Sequence, residues 1–366
     1  MPAESPAGSM QGHTRPMALS LVAPHMAVGG GCVSAMIRSL WVKLWTVAVC
    51  GGALAGAIMA LAALGGRFSP WLDVLSHFAP LWLTGGVLAA VVAAVTLRGS
   101  FRWIGIAAAV VAVIASSLLI VPELTRPLSP QVQPAAGVRQ IKIIQFNARR
   151  GPGERMTAAR WIVAQQPDII VMEEVTPAIR DAILSLYPYH LDCDRCGIVV
   201  MSRVKPVETG LRGEWLDHWI ASMGRATFAD VDGGFTVMGA HIGWPIPPGH
   251  QQASADQLAD MLDHFPKRRL IVAGDFNATP WSAVLRRVDR RFGLERRDRA
   301  MFSWPAGPVT RWKIDLPFAF LPIDHIYAGS DWRTVKIERG PRGLGSDHRP
   351  LIITLALQPD TPPAPR

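Results

Sequence analysis

The chain has 366 residues, of which 49% are hydrophobic and 18% charged, with a mean hydropathy of +0.22 and a formal net charge of +9. These values exclude an intrinsically disordered chain and sit awkwardly with a wholly soluble one. Residues 1–140 hold 8 Lys+Arg and 3 Asp+Glu against 29 and 25 in 141–366, so the apolar excess lies upstream and the downstream part is nearly balanced in charge.

Residues 1–35 are rich in small residues, Gly and Pro without periodicity. They read as a disordered tail or as sequence upstream of a start at Met36. Residues 36–121 read as a membrane region. Leu44 to Gly66 and Trp103 to Val121 carry no charge, and Val74 to Leu97 is interrupted only by His77. Each run reaches the ~20 residues that cross a hydrocarbon core, so three spans are expected at 44–66, 74–97 and 103–121. Trp41, Trp45, Trp71, Trp82 and Trp103 stand at or near the run ends, where an interfacial belt belongs. Arg38 and Lys43 precede the first run and Arg98 and Arg102 separate the second from the third, against Arg67 with Asp73 in the first loop. Basic loops stay cytoplasmic, which places the N-terminus inside. The chain after Val121 is then outside, as periplasm or exterior if this is a bacterial inner (cell) membrane.

Residues 122–140, with prolines at 122, 127, 130 and 134, read as an extended linker that cannot continue a helix and lifts the rest off the bilayer. From 141 to 357 strand and helix patterns alternate. Strands are expected at 141–147, 169–172, 197–201, 226–231, 235–241, 270–274, 325–328 and 351–357, and helices at 157–165, 177–186, 254–264 and 281–288. About nine strands with interspersed helices argue for one α/β domain with two packed sheets. Residues 358–366 read as a disordered tail.

Apolar strands that end in acids, amides and histidines collect those groups at one sheet edge. Five such ends stand out: Asn147, Glu174, His241, Gly274-Asp275-Phe276-Asn277, and Asp324 together with Ser346-Asp347-His348-Arg349-Pro350. Alone, each is a turn or a cap. In this order, with Gln145-Phe146-Asn147 and Pro167-Asp168-Ile169-Ile170-Val171-Met172-Glu173-Glu174-Val175, they make 141–357 resemble the endonuclease/exonuclease/phosphatase (deoxyribonuclease I-like) superfamily.

That resemblance implies two mostly antiparallel sheets flanked by helices, an αββα sandwich, and metal-dependent phosphoester hydrolysis. Such chemistry needs neutralised phosphoryl oxygens, an oriented water and a stabilised leaving oxygen. Mg²⁺ or Mn²⁺ prefers carboxylate and amide oxygens, which selects Glu174, with Asn147 assisting through its side-chain oxygen and Asp347 facing the metal site. His348 is the expected general base, because imidazole titrates near neutral pH, and Asp324 its orienting carboxylate. Alternate spacing puts Asp275 and Asn277 on one face of an extended segment, toward the scissile phosphate. His241 would protonate the leaving group or bind phosphate, and Arg349 would contact substrate. His325 reads as packed in its strand. Glu173 departs from the family's usual Gln at this position.

Cys193 and Cys196 form a CxxC with no second pair beside it, a candidate local disulfide in an oxidising compartment. Seven arginines between Arg286 and Arg299 are either a solvated helix face or a seat for nucleic acid or anionic headgroups. The expected partners are a phosphoester substrate, nucleic acid or phospholipid, and the bilayer. The competing class is a catalytically silent envelope binding module that keeps the fold.

Overall fold

The computed structural model describes residues 29–149, 155–193, 197–212, 221–230, 233–307 and 316–358. The chain forms two compact units, 1–48 and 49–366. The first contributes the N-terminal part of α1 (Gly29–Ala63). The second begins within α1 and continues through α2 (Pro70–Ser76), α3 (Ala79–Thr96) and α4 (Gly99–Thr125). Helices spanning Ser34–Arg67, Ala79–Thr96 and Gly99–Thr125 are long and apolar enough to cross a membrane.

Two of these helices differ from the spans expected. The run beginning at Val74 is broken: Val74 to Ser76 belong to the short helix α2, and His77, which is buried, lies outside α3. At the other end α4 continues past Val121 through Pro122 to Thr125. Proline removes the N–H that would bond to the carbonyl of Leu118, but only one turn of helix remains to be held. The neighbouring carbonyl of Leu119 accepts from Arg286 Nη2 at 2.5 Å.

The rest of the second unit comprises β1 (Gln140–Asn147), α5 (Arg155–Gln165), β2 (Ile169–Glu173), α6 (Pro177–Ile183), β3 (Tyr189–Cys193), β4 (Ile198–Ser202), β5 (Glu208–Arg212), β6 (Ser222–Phe228), β7 (Phe235–His241), α7 (His250–Leu262), β8 (Leu270–Asp275), α8 (Ala283–Arg291), β9 (Glu295–Arg296), β10 (Asp324–Ala328), β11 (Trp332–Arg339) and β12 (Leu351–Leu357). The strands make two six-stranded sheets, ordered β11-β12-β1-β2-β4-β3 and β5-β6-β7-β8-β10-β9. Pairing is antiparallel except β1 with β2 and β7 with β8. The two mostly antiparallel sheets expected are therefore present, with helices on their outer faces. Strands β3, β5, β9 and β11 went unread because they lack an apolar run: β5 is largely exposed and β9 has two residues.

Side chains alternate across a strand, so each sheet has an inner and an outer face. Ile141, Ile143, Ile169, Val171, Ile271, Ala273 and Ile326 pack in the cluster between the sheets. Ile144, Phe146, Ile170 and Met172 pack outward against Ala158 and Ile162 of α5. Val272 and Tyr327 pack outward against Leu258 of α7 and Leu285 of α8. The cross-strand glycines Gly224 and Gly239 let the sheets approach. A β-carbon on Gly239 would meet Val171 Cγ1 at 2.8 Å, and one on Gly224 would meet Ile198 Cγ2 at the same distance.

The segment after α4 does not hold the domain at a distance. Arg126 donates to the carbonyls of Arg296 and Asp298, Ser129 donates twice to Glu295, and Val132 N donates to Thr334 O. The loop between α1 and α3 also reaches into the domain. Asp73 accepts from the amides of Ala283 and Val284, the first turn of α8. Its negative charge there satisfies two donors that a helix N-terminus leaves unpaired. Trp281 is buried with Ala63, Ala79, Leu119 and Ile120. At the end of α4, Glu123 bonds Arg296 through both carboxylate oxygens at 2.9 and 2.7 Å, with both side chains almost wholly buried.

Without Glu123 the buried Arg296 guanidinium keeps Asp289 and Asp298 but loses a bidentate charge-assisted pair, at a cost of about 1–3 kcal/mol. Glu123→Ala is therefore expected to lower the thermal midpoint of the full-length protein in detergent markedly. Scanning fluorimetry showing an unchanged midpoint would mean that the helices and the domain are not joined there.

Candidate active site

The apolar layer between the sheets ends in polar residues of the same parity. Gln145 and Asn147 continue the inward face of β1, Glu173 that of β2, Asp275 that of β8, His241 that of β7, and Asp324 opens β10. Register sets them abreast: Asn147 pairs with Glu173, His241 with Asp275, and Asp275 with Asp324. Glu174 follows β2 with a positive φ of 51°, and Asn277 follows β8 at 47°, a left-handed backbone that costs a non-glycine residue energy and clusters at functional sites.

His348 Nδ1 lies 2.9 Å from Asp324 Oδ2, and His348 Nε2 lies 3.7 Å from Asp275 Oδ2. The loop carrying His348 is fixed by Ser346, whose hydroxyl donates to the carbonyl of Asn147 and accepts from His348 N. Gln145 Nε2 bridges Asp324 Oδ1 and Glu173 Oε2, each at 2.8 Å. Asn147 Nδ2 donates to Asp275 Oδ2 at 2.9 Å and to Glu174 Oε1 at 3.3 Å. Asn277 N donates to Asp275 Oδ1, and Asn277 Nδ2 to the carbonyl of Ile242 while lying 3.5 Å from His241 Nε2. His241 Nε2 stands 3.8 Å from Glu174 Oε1 and 3.9 Å from Asp275 Oδ2.

Of the residues singled out in the sequence, Asn147, Glu174, His241, Asp275, Asn277, Asp324 and His348 thus converge. Asp347 is buried beside them, one oxygen accepting from Trp304 Nε1 at 3.1 Å and Oδ1 without a hydrogen-bond partner among the described residues. Arg349 is turned elsewhere: its Nε donates to Gly340 O at 2.7 Å. The amide of Asn147 presents nitrogen to the carboxylates and its Oδ1 to Arg149 N, the reverse of the orientation expected of a metal-binding oxygen. His325 stays out of the cluster, held between Asp298 and the carbonyl of Ala278. The candidate disulfide lies outside the described residues at Cys196.

Gln145 as a bridging group, the direction of Glu173 and the role of Arg149 are not marked by motif or spacing in the sequence. Arg149 Nε stands 3.7 Å from Glu174 Oε2, and its guanidinium lies 5.9 Å from the Trp244 ring. The parity of Gln145 and Glu173 with the core was the available signal, since a polar residue on a buried face requires a partner.

The arginines of 286–299 are largely engaged within the protein. Arg296 pairs with Glu123 and Asp289, Arg297 with Glu295 and three carbonyls, Arg291 with Asp256 and Asp260, and Arg299 with the carbonyl of Arg126. A surface built for nucleic acid would leave these charges to solvent.

Two carboxylates about 4 Å apart repel by ~4 kcal/mol at an effective dielectric constant of ~20, so five acids in one cluster cannot all ionise freely. Burial, then the facing Asp324, lifts Asp275 to about 6. Burial, Asp324 and Asp275 push Glu173 well above the usual carboxylate range. Burial also raises Glu174, against the opposing charge of Arg149. Burial disfavours ionised Asp324, but His348 and its hydrogen bond outweigh it and hold that carboxyl low. For His348 burial works against the cation, yet Asp324 and Asp275 win and hold it up to about 10. His241 goes the other way, lowered by burial.

The family model for the Endonuclease/Exonuclease/phosphatase family matches residues 144–348, over half of the chain. The chain belongs to this family. Membership supports phosphoester hydrolysis as its activity. Among solved structures, the endonuclease/exonuclease/phosphatase from Bacteroides vulgatus is 15% identical with a TM-score of 0.50, over 60% of this chain and 100% of that one. D. rerio TDP2 complexed with single strand DNA product is 16% identical (TM-score 0.49; 59% of this chain, 98% of that one). Sphingomyelinase C from Streptomyces griseocarneus is also 16% identical (TM-score 0.44; 59% and 99%). No curated protein sequence matches the chain.

The family's divalent cation fits the residues present. Asp275, Asp324 and His348 each bring one ligand atom within 4.8 Å of the others. Both oxygens of Asp324 are already taken, by Gln145 and by His348, so Asp324 and His348 behave as a hydrogen-bonded pair. Glu174 and the unpartnered oxygen of Asp347 are the better oxygen donors for a hard cation.

The sign of the linkage gives a test. An acid raised in the folded state, such as Asp275, contributes stability that is present below its unfolded value near ~3.9 and lost as pH rises through about 6. A cation relieves that loss. Mg²⁺ or Mn²⁺ should therefore raise the thermal midpoint more at pH 7 than at pH 5; an equal shift at both would place the cation away from these acids.

Proposed function

We propose that the protein is a divalent-cation-dependent phosphoesterase anchored by three membrane-spanning helices, with its catalytic domain on the non-cytoplasmic side. The observation that carries this reading is the His348–Asp324 pair facing Asp275 at 3.7 Å, with Glu174 joined to the same cluster through Asn147.

Glu174 and Asp347 would hold Mg²⁺ or Mn²⁺, joined by Asn147 once its amide turns its oxygen toward them. A cation bound there would supply neutralisation of the phosphoryl oxygens and of the leaving oxygen. Asn277 would donate to a phosphoryl oxygen, and His241, kept neutral by burial, would bind phosphate or meet the leaving group. The sequence alone casts His348 as a neutral-pH base, but the carboxylates around it keep it protonated in the cation-free protein. In that state it is a donor to the phosphoryl group. Asp275, at about 6, is ionised at neutral pH and can orient the attacking water and take its proton.

The substrate is a phosphodiester or phosphomonoester of nucleic acid or phospholipid. With most of the 286–299 arginines engaged internally, the case for a polyanionic duplex is weaker than composition suggests. The silent-module reading is disfavoured because Glu174, Asp275, Asn277, Asp324 and His348 are all present and hydrogen-bonded or ion-paired within one cluster.

The test uses the full chain in detergent with Mg²⁺ or Mn²⁺, assayed on bis(p-nitrophenyl) phosphate, plasmid DNA, and sphingomyelin or phosphatidylcholine vesicles. Turnover of at least one substrate is expected, falling by ~10²–10⁴ in His348→Gln and in Glu174→Gln. No turnover of any substrate by the wild type would support the binding module. For the topology, alkaline phosphatase fused after Arg366 should be active in cells and a green fluorescent protein fusion dark; the opposite pattern would invert the orientation.

A further inference from the structure

We propose that the cavity between the α1–α2 connection, α4 and α8 binds the phosphate of an anionic phospholipid. It encloses about 450 Å³, within the ~300–1,000 Å³ of ligand pockets, and none of the converging acids or histidines of the active site lines it. Its walls differ in chemistry. Leu64, Leu118 and Leu119 make an apolar side, and they belong to the helices that are apolar enough to cross a membrane. Arg67, Arg286, Arg287 and Arg290 make a cationic side. A lipid has the same layering, with chains below and phosphate above, and guanidinium groups bind phosphate through paired hydrogen bonds.

Of the four guanidinium groups, Arg287 is answered by Asp256 at 3.6 Å, and the other three make no ion pair among the described residues. Arg286 gives one Nη to the carbonyl of Leu119 and makes no ion pair among the described residues. Burial lowers its pKa, against the more distant charges of Asp73 and Glu123. Arg290 is exposed and likewise makes no ion pair among the described residues. Asp289, the one acid on α8, is turned to Arg296 and Tyr327. Asp73 does line the cavity, but its two oxygens are committed to the first amides of α8. Three guanidinium groups without an ion pair among the described residues, against that single carboxylate, leave the cavity positive.

A simple inorganic anion would suit the arginines and leave the leucine wall facing water. A phospholipid suits both, and Leu118, 59% exposed, is placed to meet its chains. Trp281 lines the cavity and donates its Nε1 to the carbonyl of His77, so an occupant would sit against the loop that descends from Asn277.

The inference rests on the membrane reading given above. Full-length protein is placed in nanodiscs of phosphatidylcholine with or without phosphatidylglycerol, and retained lipid is read by native mass spectrometry together with the thermal midpoint. Phosphatidylglycerol should be retained and raise the midpoint. Arg290→Gln and the double variant with Arg67→Gln should lower retention by about tenfold, as loss of a charge-assisted hydrogen bond predicts. Both side chains are exposed, so folding in phosphatidylcholine discs should be unchanged. Equal retention by wild type and variants overturns the proposal. So does an equal midpoint shift from millimolar inorganic phosphate or glycerol 3-phosphate, which would make the cavity a plain anion site. If the wild type is instead recovered from cells without detergent, the membrane reading has failed and the proposal with it.

Discussion

Side-chain alternation is the constraint from which the rest of this structure follows. A strand in a two-sheet sandwich has one face between the sheets and one toward the helices, and a residue's parity decides which it meets. Ile141, Ile143, Gln145 and Asn147 share a parity, as do Ile169, Val171 and Glu173, or Ile271, Ala273 and Asp275. The polar cluster is the place where that inner layer stops being apolar. A slip of one residue in β8 would send Asp275 outward and set Gly274 opposite His348. The hydrophobic core therefore fixes the positions of the acids as well as the stability of the fold.

The cost of the arrangement is visible at the same edge. Five carboxyl groups are gathered under little solvent, two of the site residues hold a left-handed backbone, and Asp347 keeps an oxygen with no hydrogen-bond donor. Each feature is unfavourable alone. Together they make a cluster rich in carboxylates whose parts are brought together by register. His348 and Arg149 offset part of the repulsion, and a cation would offset more. Strain and surplus charge are common where binding energy is directed at a ligand rather than at folding.

Much of this could be read from the residues. The strands that supply the cluster were apolar runs with polar ends, and the acids, amides and histidines that meet there were marked from those ends and from their order. What escaped was decided by contacts between distant parts of the chain. Edge strands such as β5 and β11 carry charged, half-exposed residues because only one neighbour holds them, so no hydrophobic period announces them. The arginine segment looked like a ligand surface because its counter-ions, Glu123, Asp256 and Asp260, lie far off in sequence or on another helix. His77 looked like an interruption within a span. It is instead where a loop meets the domain, its ring taking the backbone amide and hydroxyl of Thr279. Pro122 argued for a break, but a proline one turn from a helix end leaves little to disrupt.

That last contact changes how the domain moves. A domain hung from a floppy spacer wanders through a volume set by the square root of the spacer's length, and its mouth faces every direction in turn. Here Asp73, His77 and Glu123 bolt the domain to the helix ends, so its remaining freedom is that of the helices themselves. Were these helices to span a bilayer, as proposed, the domain would search in two dimensions, with its polar edge at one height and one tilt. Substrates would then be selected by altitude above the lipid surface before any chemical recognition begins.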